Sequence, residues 1–313
     1  MNPPSYLSSV ATRGPAVRVR APGKVNLSLH VGSPGPDGYH PLITVFQAVS
    51  LYEDVTVTAA DELTLSVTGH GAELVPLDGT NLALRAAHAL AERAGVDRGA
   101  DIEIVKGVPV AGGMAGGSAD AAATLVALDA LWGTGLTRDE LTDLAAGLGS
   151  DVPFALHGHT AVGTGRGTAL TPAMVRGEFH WAFALRAEGL STPDVFRRFD
   201  ERAGGLAHEL DVETDTDVMA ALRAGDPARL GQALSNDLQD AAVDLAPDLA
   251  GTLDAATSAG ALGVVVSGSG PTVAALARSH QHALAIAAAM TAEDACEQAV
   301  CASGPVAGAR IVP

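Results

Sequence analysis

Pro109-Val110-Ala111-Gly112-Gly113-Met114-Ala115-Gly116-Gly117-Ser118-Ala119-Asp120 reads as a glycine-rich loop opening onto a long apolar helix, expected from Ser118 to about Trp132. Such a loop aims several backbone N–H groups at one point, and the helix dipole adds partial positive charge there. Glycine lets the backbone approach an anion with no Cβ in the way. Taken alone, the stretch fits either a phosphate cradle or a Ser118-capped helix after a flexible loop. Two familiar phosphate motifs are absent: neither Lys completes G-x-x-x-x-G-K-[ST], and Gly163-Thr164-Gly165 and Gly268-Ser269-Gly270 lack the third Gly of G-x-G-x-x-G. Walker-type and Rossmann binding are therefore unsupported.

Upstream, Val17, Val19, Val25, Leu27, Leu29 and Val31 alternate as a strand, interrupted at Ala21-Pro22-Gly23. Strands are expected over 44–51, 54–58, 63–67 and 101–105, and a helix from Asn81 to Ala94 ending before Gly95. Downstream, Thr137 and Glu140 form a capping box for a helix expected to stop at Gly147. Strand-like stretches return at 160–163, 180–186 and 262–266, the last running into Ser267-Gly268-Ser269-Gly270-Pro271-Thr272. This order fits α+β better than a regular βαβ array. The division expected is a flexible lead at 1–16 and two lobes, 17–172 and 173–313.

The 313 residues are enough for about two domains at roughly 150 residues each. Hydrophobic residues at 47% and charged residues at 18% suit a packed globule and exclude a mostly disordered chain. A net charge of −17 repels a polyphosphate backbone, so nucleic-acid binding is not expected. A small anion remains possible, since it needs only a local pocket of donors. No signal peptide or membrane-length apolar run is visible, which points to the cytoplasm. Nothing implies an obligate protein partner. Cys296 and Cys301 form a lone C-x4-C pair, read as two reduced thiols.

Basic residues are 17 Arg but only two Lys, Lys24 and Lys106, and Asn occurs only at 2, 26, 81 and 236. Lys is retained where a compact ammonium must meet a phosphate or tune a neighbour, so both Lys are candidates. Lys24 follows the Pro22-Gly23 break, placed to reach a cleft. Asp151 lies in Gly149-Ser150-Asp151-Val152-Pro153, which alone reads as a turn. His157 and His159 have no third ligand nearby and read as a surface turn. The acidic stretch 211–217 reads as an exposed loop.

In this order, Pro22-Gly23-Lys24-Val25-Asn26-Leu27, then 109–122, then 263–272 resemble the three motifs of the GHMP kinases. Ala21 to Leu29, Asp37-Gly38-Tyr39-His40, Asn81-Leu82, 149–153, Thr192-Pro193 with Phe196, and Ser235-Asn236-Asp237 extend the likeness over nearly the whole chain. The resemblance implies a two-lobed α+β fold, with an ATP-binding and catalytic lobe at 17–172, a substrate-side lobe at 173–313 and the active site in the cleft between them. It implies ATP and Mg²⁺ as cofactors, and the 2-hydroxyl of 4-diphosphocytidyl-2-C-methyl-D-erythritol as acceptor. By the same resemblance, Asn81, Lys106 and Pro109 to Ser118 would lie on the ATP side and bind it, and Ser118 would help hold Mg²⁺. Asp151 would orient and deprotonate the hydroxyl, with Lys24 stabilising the alkoxide and keeping Asp151 ionised. Asn26 and His40 would contact the substrate near its reacting end, Tyr39 and Phe196 would sandwich the cytosine, and Thr192, Ser267 and Gly268 would complete the substrate site.

The chain departs from the family's usual Gly-Leu-Gly-Ser-Ser, having Gly113-Met114-Ala115-Gly116-Gly117-Ser118-Ala119, so the metal role rests on one hydroxyl. Asp120 has no counterpart role and reads as a supporting group for the metal or as an acid in the helix's first turn. Another acceptor within the family, such as homoserine, is one alternative; a non-catalytic nucleotide binder is another. The presence of both Lys24 and Asp151 argues against the latter.

Overall fold

The computed structural model describes residues 16–110, 112–204, 210 and 215–313. The first half runs β1 (Ala16–Val31), β2 (Leu42–Ala60), β3 (Leu63–Gly69), α1 (Leu82–Ala94), β4 (Gly99–Lys106) and α2 (Gly116–Trp132). It continues through α3 (Arg138–Leu148), α4 (Val152–His157), β5 (Thr160–Gly165) and β6 (Ala169–Pro172). The second half contains β7 (Phe179–Leu185), α5 (Thr192–Ala203), α6 (Thr216–Ala224), α7 (Pro227–Ala233), β8 (Ser235–Asn236) and α8 (Gln239–Leu245). It ends with α9 (Asp248–Ser258), β9 (Gly263–Val266), β10 (Val273–Ala277), α10 (His280–Ala292), β11 (Gln298–Gly304) and β12 (Arg310–Val312).

Two sheets organise these elements, as the α+β expectation requires. The first has the order β12-β1-β2-β4-β3, with β5 and β6 continuing from β2 and β8 pairing with β1. The second is β11-β7-β10-β9, antiparallel throughout. The boundary expected at 172/173 falls between β6 and β7, but β8 and β12 return to the first sheet. Of the lead expected at 1–16, residues 1–15 lie outside the described residues and Ala16 already belongs to β1.

The expected break at Ala21-Pro22-Gly23 is instead a bulge inside one continuous strand. Pro22 pairs with Tyr52 but Gly23 with Val49, so the ladder with β2 slips and then resumes. Proline has no N–H to give the ladder, which explains the slip, and the partner strand restores the pairing on either side. The two strands expected at 44–51 and 54–58 are likewise one. The N-terminal half of β2 carries β5 and its C-terminal half carries β4.

Local chemistry sets the helix ends. Asn81 caps α1 by accepting from the Ala83 N–H, and Gly95 closes it in the left-handed conformation. Thr137 and Glu140 form the full capping box of α3, which extends one residue beyond Gly147, to Leu148. The helix α2 is apolar around its circumference because it is buried. Val19, Val57, Ile102 and Ile104 of the first sheet meet Ala121, Leu125 and Leu128 of α2 and Leu90 of α1 in one core. A second core joins β1 and β2 to the other sheet through Val25, Leu27, Val45, Phe179, Trp181 and Phe183. Val108 and Met114 of the first motif loop belong to that core, and Ser267 of the second donates to the Gly113 carbonyl. Among the described residues, no helix is long and apolar enough to cross a membrane.

The acidic stretch 211–217 departs from its expected exposure. Residues 211–214 lie outside the described residues, Asp217 is exposed, and Asp215 is buried with an Oδ1 3.2 Å from Nε2 of His30. A histidine partner on β1 draws the carboxylate inward.

Candidate active site

The N-terminus of α2 opens into a cavity of about 340 Å³ lined by Lys24, Asn26, Asp151, Ser118 and the glycines at 112, 113, 116, 117 and 268. No side chain caps this helix; its first intrahelical bond is from Ala119 N–H to the Ala115 carbonyl. The amides of residues 116–118 are thus left without intrahelical acceptors at the positive end of the dipole. Glycine is required in this loop for space: a Cβ on Gly113, at φ 74, would stand 2.1 Å from the Ser267 carbonyl oxygen. Ala115 enters the helix from the left-handed region, φ 62 and ψ 34, without being glycine.

Lys24 crosses from β1 to the same loop. Its backbone N–H donates to the Met114 carbonyl at 3.1 Å, and Nζ donates to Asn26 Oδ1 at 2.6 Å and to the Gly113 carbonyl at 2.7 Å. Asp151 Oδ2 lies 4.0 Å from Nζ. Burial pushes the Lys24 ammonium below its ordinary pKa, partly opposed by the Asp151 charge. Asn26 is held by donating to Thr44 Oγ1, which itself donates to the Ser28 carbonyl. On the other side, Ser267 Oγ donates to the Gly113 carbonyl at 3.2 Å, and Asn236 Nδ2 donates to the Val266 and Gly268 carbonyls. Thr192 shares a 2.8 Å hydrogen bond with Ser269.

A second cavity of about 690 Å³ adjoins the first and contains Tyr39, His40, Phe196, Arg197 and Asp200. His40 lies 5.1 Å from Phe196, centroid to centroid, and its Nδ1 donates to the Gly32 carbonyl. The Arg166 guanidinium covers the Tyr39 ring at 3.6 Å.

Beneath the α2 N-terminus, Lys106 Nζ lies 2.6 Å from both Glu53 and Asp120, all three side chains nearly inaccessible to solvent. Burial and the neighbouring Asp120 charge push Glu53 up to about 8. Burial also raises Asp120. Burial opposes the Lys106 ammonium, but the two carboxylates outweigh it and hold the amine charged. One proton kept on Glu53 leaves the triad electrically neutral. A Cβ on Gly116 would come within 2.9 Å of Glu53, so the triad sits directly against the cradle.

The sequence matches the profile of the GHMP kinases N terminal domain over residues 81–159 and of the GHMP kinases C terminal domain over 218–295. A 4-diphosphocytidyl-2-C-methyl-D-erythritol kinase from Salinispora tropica is 55% identical over 297 residues, 94% of each chain. One from Kineococcus radiotolerans is 60% identical over 267 residues, 84% of this chain and 82% of that one. This chain belongs to the GHMP kinases. Within them it falls among the 4-diphosphocytidyl-2-C-methyl-D-erythritol kinases. The crystal structure of a 4-(cytidine 5'-diphospho)-2C-methyl-D-erythritol kinase superimposes with a TM-score of 0.74 at 32% identity, covering 91% of this chain and 98% of that one.

In this GHMP kinase the structure brings together Lys24, Asn26, Asp151, Gly112, Gly113, Ala115 to Ser118, Thr192 and Gly268 around one cavity, with Pro109 at its edge. Other expected residues fall elsewhere. His40 lines the second cavity and not the reacting end, because its ring is tied to Gly32 and packed on Phe196. Phe196 lines both cavities, while Tyr39 has one face taken by Arg166. Lys106 does not face the cavity; its ammonium is committed to Glu53 and Asp120. Asp120 Oδ2 accepts from that ammonium, and Asp120 does not line the cavity. Asn81 is spent on its cap and on the Pro76 carbonyl. Met114 and Ser267 are buried in the loop's support, Val110 faces a separate hollow with His70 and Leu185, and Ala111 lies outside the described residues.

Arg166 and Thr44 also line this cavity and lie outside every quoted motif, and Ser150 lines it from within the 149–153 motif, where the resemblance gives it no role of its own. For Arg166 a weak signal existed: a lone cation between Gly165 and Gly167 in a strongly acidic chain.

Membership of the family implies ATP. For Mg²⁺, no group of three His, Cys, Asp or Glu suited to a metal occurs among the described residues. The half-buried Ser118 hydroxyl at the mouth of the cradle fits an ion carried mainly by nucleotide phosphates, which is how Mg²⁺ usually meets such sites.

Proposed function

We propose that Lys24 and Asp151 are the catalytic pair with which this chain transfers the γ-phosphoryl group of ATP to the 2-hydroxyl of 4-diphosphocytidyl-2-C-methyl-D-erythritol. The products are the 2-phosphate and ADP, a step in non-mevalonate isoprenoid precursor synthesis. The observation that carries the assignment is the 4.0 Å gap between Lys24 Nζ and Asp151 Oδ2 beside the uncapped start of α2. Two of the three ammonium protons are taken by Asn26 and Gly113, so the remaining one is free to meet an oxygen seated in that gap.

In the reaction the acceptor oxygen forms its bond to the γ-phosphorus as the bridge from that phosphorus to the β-phosphate oxygen breaks. The hydroxyl proton passes to Asp151. An ordinary carboxylate, with a pKa of about 3.9, is a weak base for an alcohol. Phosphoryl transfer nevertheless demands chiefly alignment and charge stabilisation, which the pair and the cradle can supply. The amides of 116–118 would hold the nucleotide phosphates, with Leu82 and Pro109 on the nucleoside side. Ser118 would hold Mg²⁺, which supplies charge neutralisation between the phosphates when bound. The second cavity would seat the cytidine, against Phe196 and the face of Tyr39 that Arg166 leaves uncovered. The same reading places the reaction in the cytoplasm.

The test is ADP release by the purified chain with Mg-ATP and 4-diphosphocytidyl-2-C-methyl-D-erythritol, beside homoserine and mevalonate. Phosphorus NMR locates the new phosphate. Turnover only with the cytidine compound, at its 2-position, supports the reading; turnover with another alcohol in preference overturns it.

A further inference from the structure

The two cavities meet at a neck. Leu42, Ser150, Thr192, Phe196 and Arg166 line both, and Arg166 alone among them is charged. It stands in the turn between β5 and β6, with left-handed glycines on either side, Gly165 at φ 70 and Gly167 at φ 86. Its Nη2 donates to Asp37 Oδ2 at 2.8 Å, and its plane covers Tyr39 at 3.6 Å. The pair with Asp37 is half exposed on both sides, and such pairs are weak, so the guanidinium can turn toward a stronger anion at little cost. One of its five N–H donors is used in the Asp37 hydrogen bond.

The other cations near the neck are differently committed. Lys24 is buried and bound to Asn26 and Gly113, while Arg197 lines only the outer cavity and pairs with Asp194. An acceptor with its base in the outer cavity and its hydroxyl between Lys24 and Asp151 must pass its diphosphate through this neck. The chain's net charge of −17 would repel that diphosphate unless a local cation met it.

We propose that Arg166 binds the diphosphate bridge of the acceptor at the neck between the two cavities, its planar fork reading phosphate oxygens. The proposal rests on the reading that the acceptor is a cytidine diphosphate ester. A planar guanidinium suits this role better than an ammonium, since two parallel N–H groups can engage phosphate oxygens together. Arg166 therefore selects for a phosphorylated acceptor and takes no part in the transfer itself.

The test compares cytidine and CDP as competitive ligands against the acceptor, with the ATP site filled by a non-hydrolysable ATP analogue. Wild type should bind CDP more tightly than cytidine. Arg166→Gln should cut that preference by roughly tenfold or more, as expected for losing charge-assisted hydrogen bonds, with cytidine affinity little changed. Arg166→Lys should recover part of it. In turnover, Arg166→Gln should raise KM for the acceptor and leave kcat and the KM for ATP near wild type. Equal weakening of cytidine and CDP would reduce Arg166 to a prop for Tyr39 and overturn the proposal, as would a loss confined to kcat. If wild type binds neither cytidine nor CDP, the acceptor reading itself fails and this proposal with it.

Discussion

The Nζ of Lys24 lies 4.0 Å from Oδ2 of Asp151 while donating to Asn26 and to the Gly113 carbonyl, so one buried ammonium ties the phosphate loop to the acceptor side. Lys24→Met should lower kcat by roughly 10²-fold or more, the size of effect seen when an electrostatic stabiliser is removed. ATP affinity should stay near wild type. Urea unfolding should show some loss of stability as well, because the Gly113 carbonyl and Asn26 Oδ1 each lose their donor. A wild-type kcat would remove Lys24 from catalysis.

The Lys106 ammonium is engaged by Glu53 and Asp120 beneath the cradle, and we expect its side chain to support the cradle without touching the nucleotide. Lys106→Met would leave Glu53 and Asp120 facing each other without a cation, and removing one partner of such a buried pair costs about 3–5 kcal/mol. Glu53→Gln should cost much less, since the native carboxyl already keeps its proton at neutral pH. Denaturant unfolding separates the two. A Lys106→Met variant of full stability with a raised KM for ATP would restore the ligand role instead.

Both Glu53 and His30 bind protons more tightly when folded. Glu53 stands near 8 against an ordinary 4.5, so its contribution is complete below about pH 4.5 and lost as pH rises through 8. His30, hydrogen-bonded to Asp215 and paired with Asp237, stands near 9 against 6.5; its contribution is complete below 6.5 and lost through 9. Stability should therefore fall from pH 5 to 9. Glu53→Gln should flatten the slope between 5 and 7.5, and His30→Gln the slope between 7 and 9. Unfolding free energies measured across that range, with unchanged slopes in both variants, would contradict the assignment.

Ala115 adopts φ 62 at the start of α2, a conformation that costs an L-residue about 1–2 kcal/mol. Ala115→Gly should relieve this, less the extra freedom glycine gives the unfolded chain, for a net gain of up to about 1 kcal/mol. Ala115→Val should destabilise. A shift of the urea midpoint at constant m checks both.

What the sequence disclosed, and what it withheld, follows from the range of the interactions. Asn81 as a cap, the Thr137–Glu140 box and the glycine cradle depend on neighbours within a few residues, and each was legible. The bulge at Pro22-Gly23 looked like a break because proline's local preference is visible in sequence while the β2 ladder that overrides it is not. The partners of the Lys106 ammonium are hidden for the same reason. Its rarity was a sound signal of a specialised role, but its partners stand 53 residues upstream, at Glu53, and 14 downstream, at Asp120, and nothing in the string joins them. His30 drew Asp215 inward across a still longer separation. The residues at the neck, Arg166 above all, become visible only when both cavities are seen together.

The measurement that bears most directly on the central claim is single-turnover transfer from γ-labelled ATP to 4-diphosphocytidyl-2-C-methyl-D-erythritol by wild type and Asp151→Asn, with ATP binding measured in both. The account predicts rapid transfer by wild type and a rate at least roughly 10²-fold lower in the variant, the usual loss for a positioned proton acceptor, with ATP binding retained. Wild-type transfer by Asp151→Asn would contradict it.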